Sequence, residues 1–230
     1  MHVSVLVPSM NGPEPECREG LEALKRRGFD VVEQRGCSAI DAARNGMATT
    51  ALLKGADVLF WIDSDIQFDP DDVAKLCKSS HPLIGGIYMK KDQSFQSGVA
   101  LNYDAKALKK IEFTRESKPF EVVALPCGFT KVSRCVYESV RSHHKMPMCN
   151  EASGDGVLGF YRPTIIEKED GTHLYQAEDY AFCWRAKEAG FKPMADPSIR
   201  LTHWGRFGYR VDDIAKGRSP VTPLHLGVAQ

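Results

Sequence analysis

Two carboxylates follow a strongly apolar segment in the first third of the chain. Val58–Ile62 consists of β-branched and aromatic residues with one leucine, which predicts a strand buried on both faces of a sheet. Asp63 and Asp65 come directly after it, and residues two apart in an extended segment point the same way. Ligands of open α/β sheets bind at the carboxyl ends of the strands. Carboxylates that converge there suit Mg²⁺ or Mn²⁺, which in turn suit a diphosphate.

Two later stretches carry residues that could act together with these carboxylates. Residues 126–129 (Pro-Cys-Gly-Phe) precede a predicted helix. Glu178 and Asp179 open a second predicted helix, which ends in Ala-Gly-Phe, and His203 follows in the sequence Thr-His-Trp-Gly. The chain therefore contains an Asp-x-Asp, a Glu-Asp pair at a helix start and a late histidine, in that order.

Taken together, these three stretches resemble the nucleotide-diphospho-sugar transferases of the GT-A fold, most of all the glycosyltransferase family 2 group. The resemblance covers roughly residues 2–205. It implies an α/β fold of the GT-A (Rossmann-like) type, in one domain with a mostly parallel central sheet, helices on both faces and a smaller mixed or antiparallel part. It also implies a nucleotide-binding half at about 1–88, an acceptor and catalytic half at about 89–205, and a tail at 206–230.

The resemblance implies a metal site and a catalytic acid pair. Asp65 and His203 would bind a divalent cation, Mn²⁺ or Mg²⁺, with Asp63 near the cation and the donor ribose. The cation would bridge the phosphates of a nucleotide-sugar, which we expect to be a UDP-sugar, and offset charge on the leaving diphosphate. In inverting members the acid matching Asp179 takes the proton of the acceptor hydroxyl. Glu178 would orient that acid or take its place.

The resemblance also implies a set of contacts to the nucleotide-sugar. These contacts are Pro8, Ser9, Asn11, Arg44, Asn45, Asp63, Ser64 and Gly128. The first three follow the first predicted strand, where members of the family contact the nucleoside. The Arg-Asn pair lies in a predicted helix and would approach the base or the ribose. The glycine would let the backbone pass close to the sugar or the acceptor.

Each of these residues also has a plainer structural interpretation. Asp63 and Asp65 could form a solvated turn, and proline, asparagine and glycine are ordinary turn residues. The acidic pair suits the positive end of a helix without any function. His203 could simply pack beside Trp204. The sequence leaves these alternatives open.

The order of predicted elements indicates a parallel sheet with crossover helices. In the first ninety residues, strands are predicted at 2–8, 29–34 and 58–62, and helices at 17–27, at 39–54 with Ser38 as its cap, and from Pro70. The second half is less regular. Its predicted strands are one at 82–88, hairpin strands at 99–103 and 111–114, and a final strand within 191–203. Its predicted helices lie at 133–142, where residues 127–129 lead into the helix, and at 176–189, and a mobile loop is predicted at 143–156.

Composition is that of an ordinary soluble globular protein and argues against a nucleic-acid or membrane protein. The 230 residues are 43% hydrophobic, and 30 basic residues balance 30 acidic ones, which argues against a sequence-independent grip on nucleic acid. No apolar run approaches the ~20 residues of a membrane span, so we expect a cytoplasmic protein. The seven cysteines form no C-x-x-C pair and are expected to be reduced. His143, His144 and Cys149 lack further ligand-spaced neighbours, so we expect no zinc site.

The resemblance implies a metal-dependent glycosyltransferase that moves a sugar from a nucleotide-diphosphate donor to an acceptor hydroxyl. The sequence lacks the Gln-x-x-Arg-Trp of processive synthases. A sugar-phosphate nucleotidyltransferase is one alternative, although the stretch after the first strand has no basic residue and little glycine. A non-catalytic nucleotide-sugar binding module is another.

The acceptor is not defined by the sequence. It could be a saccharide, a protein or a hydroxylated base in DNA, as in viral DNA modification. The basic residues that would contact DNA, interrupted by acidic residues, are Arg200, Arg206, Arg210, Lys216 and Arg218. The donor sugar, the stereochemistry of transfer and the oligomeric state are not readable from the sequence.

Overall fold

The computed structural model describes residues 1–91, 113–154, 156–205 and 208–210. In these residues the helices are α1 (Pro15–Arg26), α2 (Ile40–Leu53), α3 (Pro70–Lys78), α4 (Arg134–His143) and α5 (Glu178–Glu188), with a short 3-10 helix at Glu151–Ser153. The strands are β1 (Val3–Pro8), β2 (Asp30–Gln34), β3 (Val58–Ile62), β4 (Ile66–Gln67), β5 (Leu83–Gly86), β6 (Phe120–Glu121), β7 (Phe129–Ser133), β8 (Met148–Cys149), β9 (Val157–Leu158), β10 (Thr164–Glu167), β11 (His173–Gln176), β12 (Met194–Asp196), β13 (Thr202–Trp204) and β14 (Gly208–Tyr209).

Seven of these strands form the central sheet, in the order β2-β1-β3-β7-β5-β12-β6. Strands β2, β1 and β3 are parallel, and β12 is parallel to β5. Strand β7 lies antiparallel between β3 and β5, and β6 is an antiparallel edge strand. The predicted mostly parallel central sheet is confirmed. Because β1 and β3 are neighbours that run in the same direction, the loops after them meet at one edge of the sheet.

Strand β3 is buried along its whole length, as its sequence predicts. Leu59 and Trp61 point into one core and Phe60 into the other, following the two-residue period of a strand. Helices α2, α4 and α5 contribute to the first core, whereas α1 and α3 contribute to the second. The predicted arrangement of helices on both faces is confirmed. The acidic pair after β3 therefore starts from a rigid, two-sided support.

The first half of the chain follows its predicted elements to within one or two residues, with one error at a helix cap. Helix α3 begins at Pro70, and the Asp69 carboxylate accepts a hydrogen bond from the Asp71 N–H at 2.9 Å, which is the expected N-cap contact. The prediction that Ser38 caps α2 is wrong. Ala39 is the N-cap residue, and its methyl side chain has no atom that could accept a hydrogen bond from the first turn of the helix.

Strand β7 corrects the prediction that residues 127–129 lead directly into a helix. This strand lies between that stretch and α4, in the middle of the sheet. Its sequence, Phe-Thr-Lys-Val-Ser, shows no apolar run because Lys131 occupies a position that is 3% exposed. The Lys131 ammonium donates hydrogen bonds to the carbonyls of Ser79 and His81 at 3.0 and 2.8 Å, just beyond the end of α3. Tertiary contacts thus stabilise a buried lysine at a position that the hydrophobic pattern predicts to be exposed.

The second half of the chain adds small sheets around the central one. Strands β10 and β11 form a hairpin, β8 pairs with β9, and β13 lies between β14 and β4. The predicted loop at 143–156 contains β8 and the 3-10 helix, and the single strand predicted within 191–203 is instead the pair β12 and β13. The strand predicted at 99–103 and most of that at 111–114 lie outside the described residues. Within the described ranges, no helix combines the length and apolar character needed to cross a bilayer.

Candidate functional site

A cleft of about 320 Å³ opens where β1 and β3 end. Residues from five separate parts of the chain line it. Those that the sequence predicted are Pro8, Ser9, Arg44, Asp63, Ser64, Asp65, Glu178, Asp179 and His203. Met10, Cys37 and Ile40 also line it and were not predicted. Met10 and Ile40 are 56% and 37% exposed, and with Cys37 they form the apolar wall of a cleft whose other lining residues are mostly polar or charged.

The two aspartates after β3 sit in a turn rather than in the extended segment assumed from the sequence. The Ile66 N–H donates to the Asp63 carbonyl at 3.1 Å, which closes the turn. Asp63 and Asp65 nevertheless line the same cleft, each with its own cationic partner. The prediction that both carboxylates face one cavity agrees with the geometry, but its reason was wrong, because the turn and not a strand period brings them together.

Asp63 is fixed by the backbone behind it and by a buried arginine. Its N–H donates to the Gly128 carbonyl at 2.9 Å. Arg44 donates from Nη2 to Asp63 Oδ1 at 2.8 Å, and its Nε lies 3.5 Å from Glu178 Oε1. The Arg44 side chain is 3% exposed and packs over the Trp61 ring at 5.3 Å. Arg44 therefore links the carboxylates of the β3 turn to those of α5.

The pairing of two short strands, β4 and β13, places His203 beside Asp65. Strand β4 follows the aspartate turn directly and pairs with β13, and the Trp204 N–H donates to the Asp65 carbonyl at 2.8 Å. His203 Nε2 lies 3.4 Å from Asp65 Oδ1, and its Nδ1 lies 2.7 Å from the Met89 carbonyl. A carbonyl oxygen can only accept, so Nδ1 carries a proton and donates. The Nε2 atom is thereby aimed at the carboxylate, in the way that a backbone carbonyl fixes the tautomer of a metal-binding histidine.

The Asp65 and His203 pair has the donor chemistry of a divalent cation site. Asp65 Oδ1 is buried and has no hydrogen-bond partner. An imidazole nitrogen and a carboxylate oxygen are both ligands for Mn²⁺ and related ions. Among the described residues no group of three or more His, Cys, Asp and Glu side chains is arranged around one point, so a cation held here would take its other ligands from a bound molecule or water. Burial would raise the pKa of Asp65, but His203 and Lys91 together lower it below its ordinary value.

The acid pair stands at the start of α5, on the opposite side of Arg44. Ala177 is the N-cap residue, so Glu178 and Asp179 occupy the first turn, where the helix dipole favours negative charge. Asp179 Oδ1 accepts a hydrogen bond from the Tyr180 N–H at 2.8 Å. Burial, followed by the nearby Glu178 charge, raises the pKa of Asp179 to about 6, although Arg44 acts in the opposite direction. A carboxyl group with this pKa can exchange a proton near neutral pH.

Three predicted residues do not line the cleft. Asn11 is exposed in the loop after β1. Asn45 Oδ1 accepts a hydrogen bond from the Tyr161 N–H at 2.7 Å and so fixes the segment after β9. Asn45 follows Arg44 in α2, and successive helical residues are about 100° apart around the axis, so the two cannot share a face. Gly128 lies behind the cleft and supports Asp63.

Gly128 has no room for a side chain, which gives a stability prediction. A Cβ atom there would lie 2.3 Å from Tyr88 Oη and 3.0 Å from Asp63 Oδ2. We expect Gly128→Ala to lower the free energy of unfolding by about 1–3 kcal/mol, because buried Tyr88 must move. Gly46→Ala is the matched control, since its Cβ would meet nothing within 4 Å and should stabilise α2 by about 0.5–1 kcal/mol. Urea unfolding measures both values, and effects of equal sign would contradict this account.

Comparison with known proteins supports the fold. No family model and no curated protein matches the chain. Among solved structures, A197 from STIV matches with a TM-score of 0.55 at 18% identity, over 89% of this chain and 86% of that one. This similarity shows a shared fold and nothing about activity. The predicted α/β class with a mostly parallel central sheet is confirmed.

Two further structures match with lower scores. GalNAc-T7, solved with UDP, GalNAc and Mn²⁺, has a TM-score of 0.49 at 13% identity, over 90% of this chain and 44% of that one, so this chain spans less than half of GalNAc-T7. Residues 1–349 of S. aureus TarS, solved with UDP-GlcNAc, have a TM-score of 0.40 at 12% identity, over 86% of this chain and 56% of that one.

Proposed function

We propose that this protein is a divalent-cation-dependent glycosyltransferase that moves a sugar from a nucleotide-diphosphate donor, most simply a UDP-sugar, to an acceptor hydroxyl. One observation carries the proposal. A single cleft at the ends of β1 and β3 contains an Asp65–His203 pair suited to a cation and, across Arg44, the partly buried carboxyl of Asp179 with its raised pKa. A cation site and a general base in one cavity are the two groups that sugar transfer from a diphosphate requires.

The cleft has a suitable surface for each part of such a donor. Its apolar wall of Met10, Cys37 and Ile40 could pack against a nucleobase. The diphosphate would lie against Asp65 and His203, which would hold the cation. When bound, that cation offsets the negative charge that the leaving diphosphate acquires.

The chain's own residues account for the proton and the geometry of transfer. The acceptor oxygen forms a bond to the anomeric carbon as the bond from that carbon to the diphosphate breaks. Asp179 takes the proton of the acceptor hydroxyl, and the nucleoside diphosphate leaves. Arg44 bonds Asp63 and lies near Glu178, so it keeps the donor side and the acid pair in a fixed relation. This assignment of the base applies to an inverting enzyme.

The raised pKa of Asp179 gives a pH prediction. The base acts in its deprotonated form, so we expect kcat/KM for transfer to rise as pH increases through about 6 and to be low below that value. Glu178 raises the pKa of Asp179, whereas Arg44 lowers it. Glu178→Gln should therefore shift the midpoint of the pH profile to lower pH. A midpoint that stays in place or moves to higher pH would contradict the assignment.

The function is tested by incubating the protein with a panel of nucleotide-sugars, with and without Mn²⁺, and measuring release of the nucleoside diphosphate. We expect cation-dependent release from one donor, through slow hydrolysis without an acceptor and faster transfer with one. A binding module would give affinity without release. A nucleotidyltransferase would instead release pyrophosphate from a nucleoside triphosphate and a sugar phosphate.

The acceptor stays open between a saccharide, a protein and a hydroxylated DNA base. Of the basic residues considered for DNA contact, Arg200 donates from Nη2 to the Phe113 carbonyl, and Arg210 donates from Nε to Thr202 Oγ1 at 3.2 Å. The other three lie outside the described residues. A DNA affinity that falls steeply with salt would favour the DNA base, and a flat response would count against it.

A further inference from the structure

The segment that follows β5 makes two contacts with the proposed cation ligands. The Met89 carbonyl accepts the hydrogen bond from His203 Nδ1 at 2.7 Å. Two residues later, the Lys91 ammonium donates a hydrogen bond to Asp65 Oδ2. The same three-residue stretch therefore orients the histidine and neutralises the aspartate. These contacts place Lys91 beside the proposed cation ligands.

The Lys91 side chain is freer to move than the Arg44 side chain, which also pairs with an aspartate of the site. Arg44 is 3% exposed and lies between Asp63 and Glu178, so it cannot leave. The Lys91 side chain is 34% exposed and ends in a single ammonium on a flexible stem. Its partial exposure lets the ammonium move away from Asp65 into solvent.

A cation entering the site would compete with Lys91 for the same carboxylate. Lys91 bonds Oδ2 of Asp65, and the other oxygen, Oδ1, faces His203 Nε2. A divalent ion bound between that oxygen and the imidazole would stand a few ångströms from the ammonium, and like charges at such a distance repel each other. A bound diphosphate adds negative charge that the displaced ammonium can pair with.

We infer that Lys91 is an exchangeable counter-ion of the site. It neutralises Asp65 while the cleft is empty, gives up that carboxylate to the divalent cation, and then pairs with the diphosphate of the donor. The affinity for the divalent cation would consequently be higher when the nucleotide is bound than when it is absent. This inference rests on the proposed function.

The first test measures Mn²⁺ affinity without nucleotide, from the electron paramagnetic resonance signal of free Mn²⁺. We expect Lys91→Ala to bind Mn²⁺ about two- to fivefold more tightly than the unmodified chain, the effect of removing one partly exposed ion pair. Lys90→Ala is the matched control, because it removes the same charge from the adjacent exposed position and should leave the affinity unchanged. Equal or weaker Mn²⁺ binding by Lys91→Ala would overturn the inference, as would an equal gain in the control.

The second test measures the affinity for a nucleoside diphosphate in saturating Mn²⁺, by titration calorimetry. Here the effect should reverse, with Lys91→Ala binding the nucleotide about two- to fivefold more weakly. An unchanged nucleotide affinity would overturn the inference that Lys91 pairs with the diphosphate. If Lys91→Ala fails these tests while Asp65→Ala still abolishes Mn²⁺ binding, the inference fails and the proposed site stands. If Asp65→Ala binds Mn²⁺ as well as the unmodified chain, both fail.

Discussion

Asp179→Asn is expected to lower kcat for sugar transfer by about 10²–10⁴-fold, with little change in affinity for the nucleoside diphosphate. Asparagine keeps the shape of the side chain and an oxygen that can accept the Tyr180 N–H, but it cannot take a proton. The loss should therefore appear in the chemical step and not in donor binding. Steady-state kinetics together with calorimetric nucleotide binding separates the two.

The same substitution should stabilise the fold at neutral pH. The pKa of Asp179 is about 6 in the folded chain against an ordinary value of 3.8, so the folded state binds the proton more tightly. Above pH 6 the charged, partly buried carboxylate costs the folded state free energy, and that cost disappears as pH falls from 6 towards 3.8. Removing the charge should raise the free energy of unfolding at pH 7–8 by about 1–3 kcal/mol.

Glu178→Gln is the matched control for this prediction. It removes the neighbouring carboxylate of the same helix turn, and we expect a smaller loss of kcat because Asp179 remains. An Asp179→Asn protein that keeps its transfer rate would remove Asp179 from the mechanism. A protein that loses both activity and stability would show that the residue serves mainly to hold the fold.

Asp65→Ala is expected to weaken cation-dependent binding of a nucleoside diphosphate by at least about tenfold. Even residues that only support metal ligands typically change metal affinity by about 10–100-fold, and Asp65 would be a ligand itself. Binding measured without the cation should change much less, because the apolar wall of the cleft is intact. Calorimetric titrations with and without Mn²⁺ give the two values for each protein.

A surface carboxylate supplies the control for Asp65. Asp71 pairs with Arg27 on the protein surface, and its side chain is 77% exposed. Asp71→Ala makes the same change in net charge and should leave cation-dependent binding unchanged. Equal effects of the two substitutions would mean that the cation acts through the general charge of the protein and not through this site.

Strand β3 and the two carboxylates at its end could be predicted because their signals are local. Five apolar residues followed by two aspartates specify a buried strand that ends in an acidic segment, although the turn that brings the carboxylates together was not predicted. The start of α5 is similar, since an acidic pair before an amphipathic segment indicates a helix N-terminus. The resemblance to GT-A transferases then selected His203, whose position depends on the pairing of two very short strands, β4 and β13.

Other features of the site depend on contacts that the sequence does not display. Strand β7 was missed because its buried Lys131 is compensated by carbonyls some fifty residues away. The resemblance assigned Arg44 and Asn45 together to the nucleotide-sugar, but the helix directs them to different surroundings. Lys91 lies in a segment without periodicity, and only the folded chain shows that it reaches Asp65.

The most direct test of the proposed function is thermal unfolding of the unmodified protein with a panel of nucleoside diphosphates, each with and without Mn²⁺. A ligand at 100 times its dissociation constant adds about 2.7 kcal/mol of stability. For a chain of this length each kcal/mol raises Tm by about 2–4 °C. We predict a clear rise in Tm with one nucleoside diphosphate, UDP first among them, that requires the cation. No rise with any nucleotide, with or without Mn²⁺, would contradict the account and leave Asp63 and Asp65 as a solvated turn.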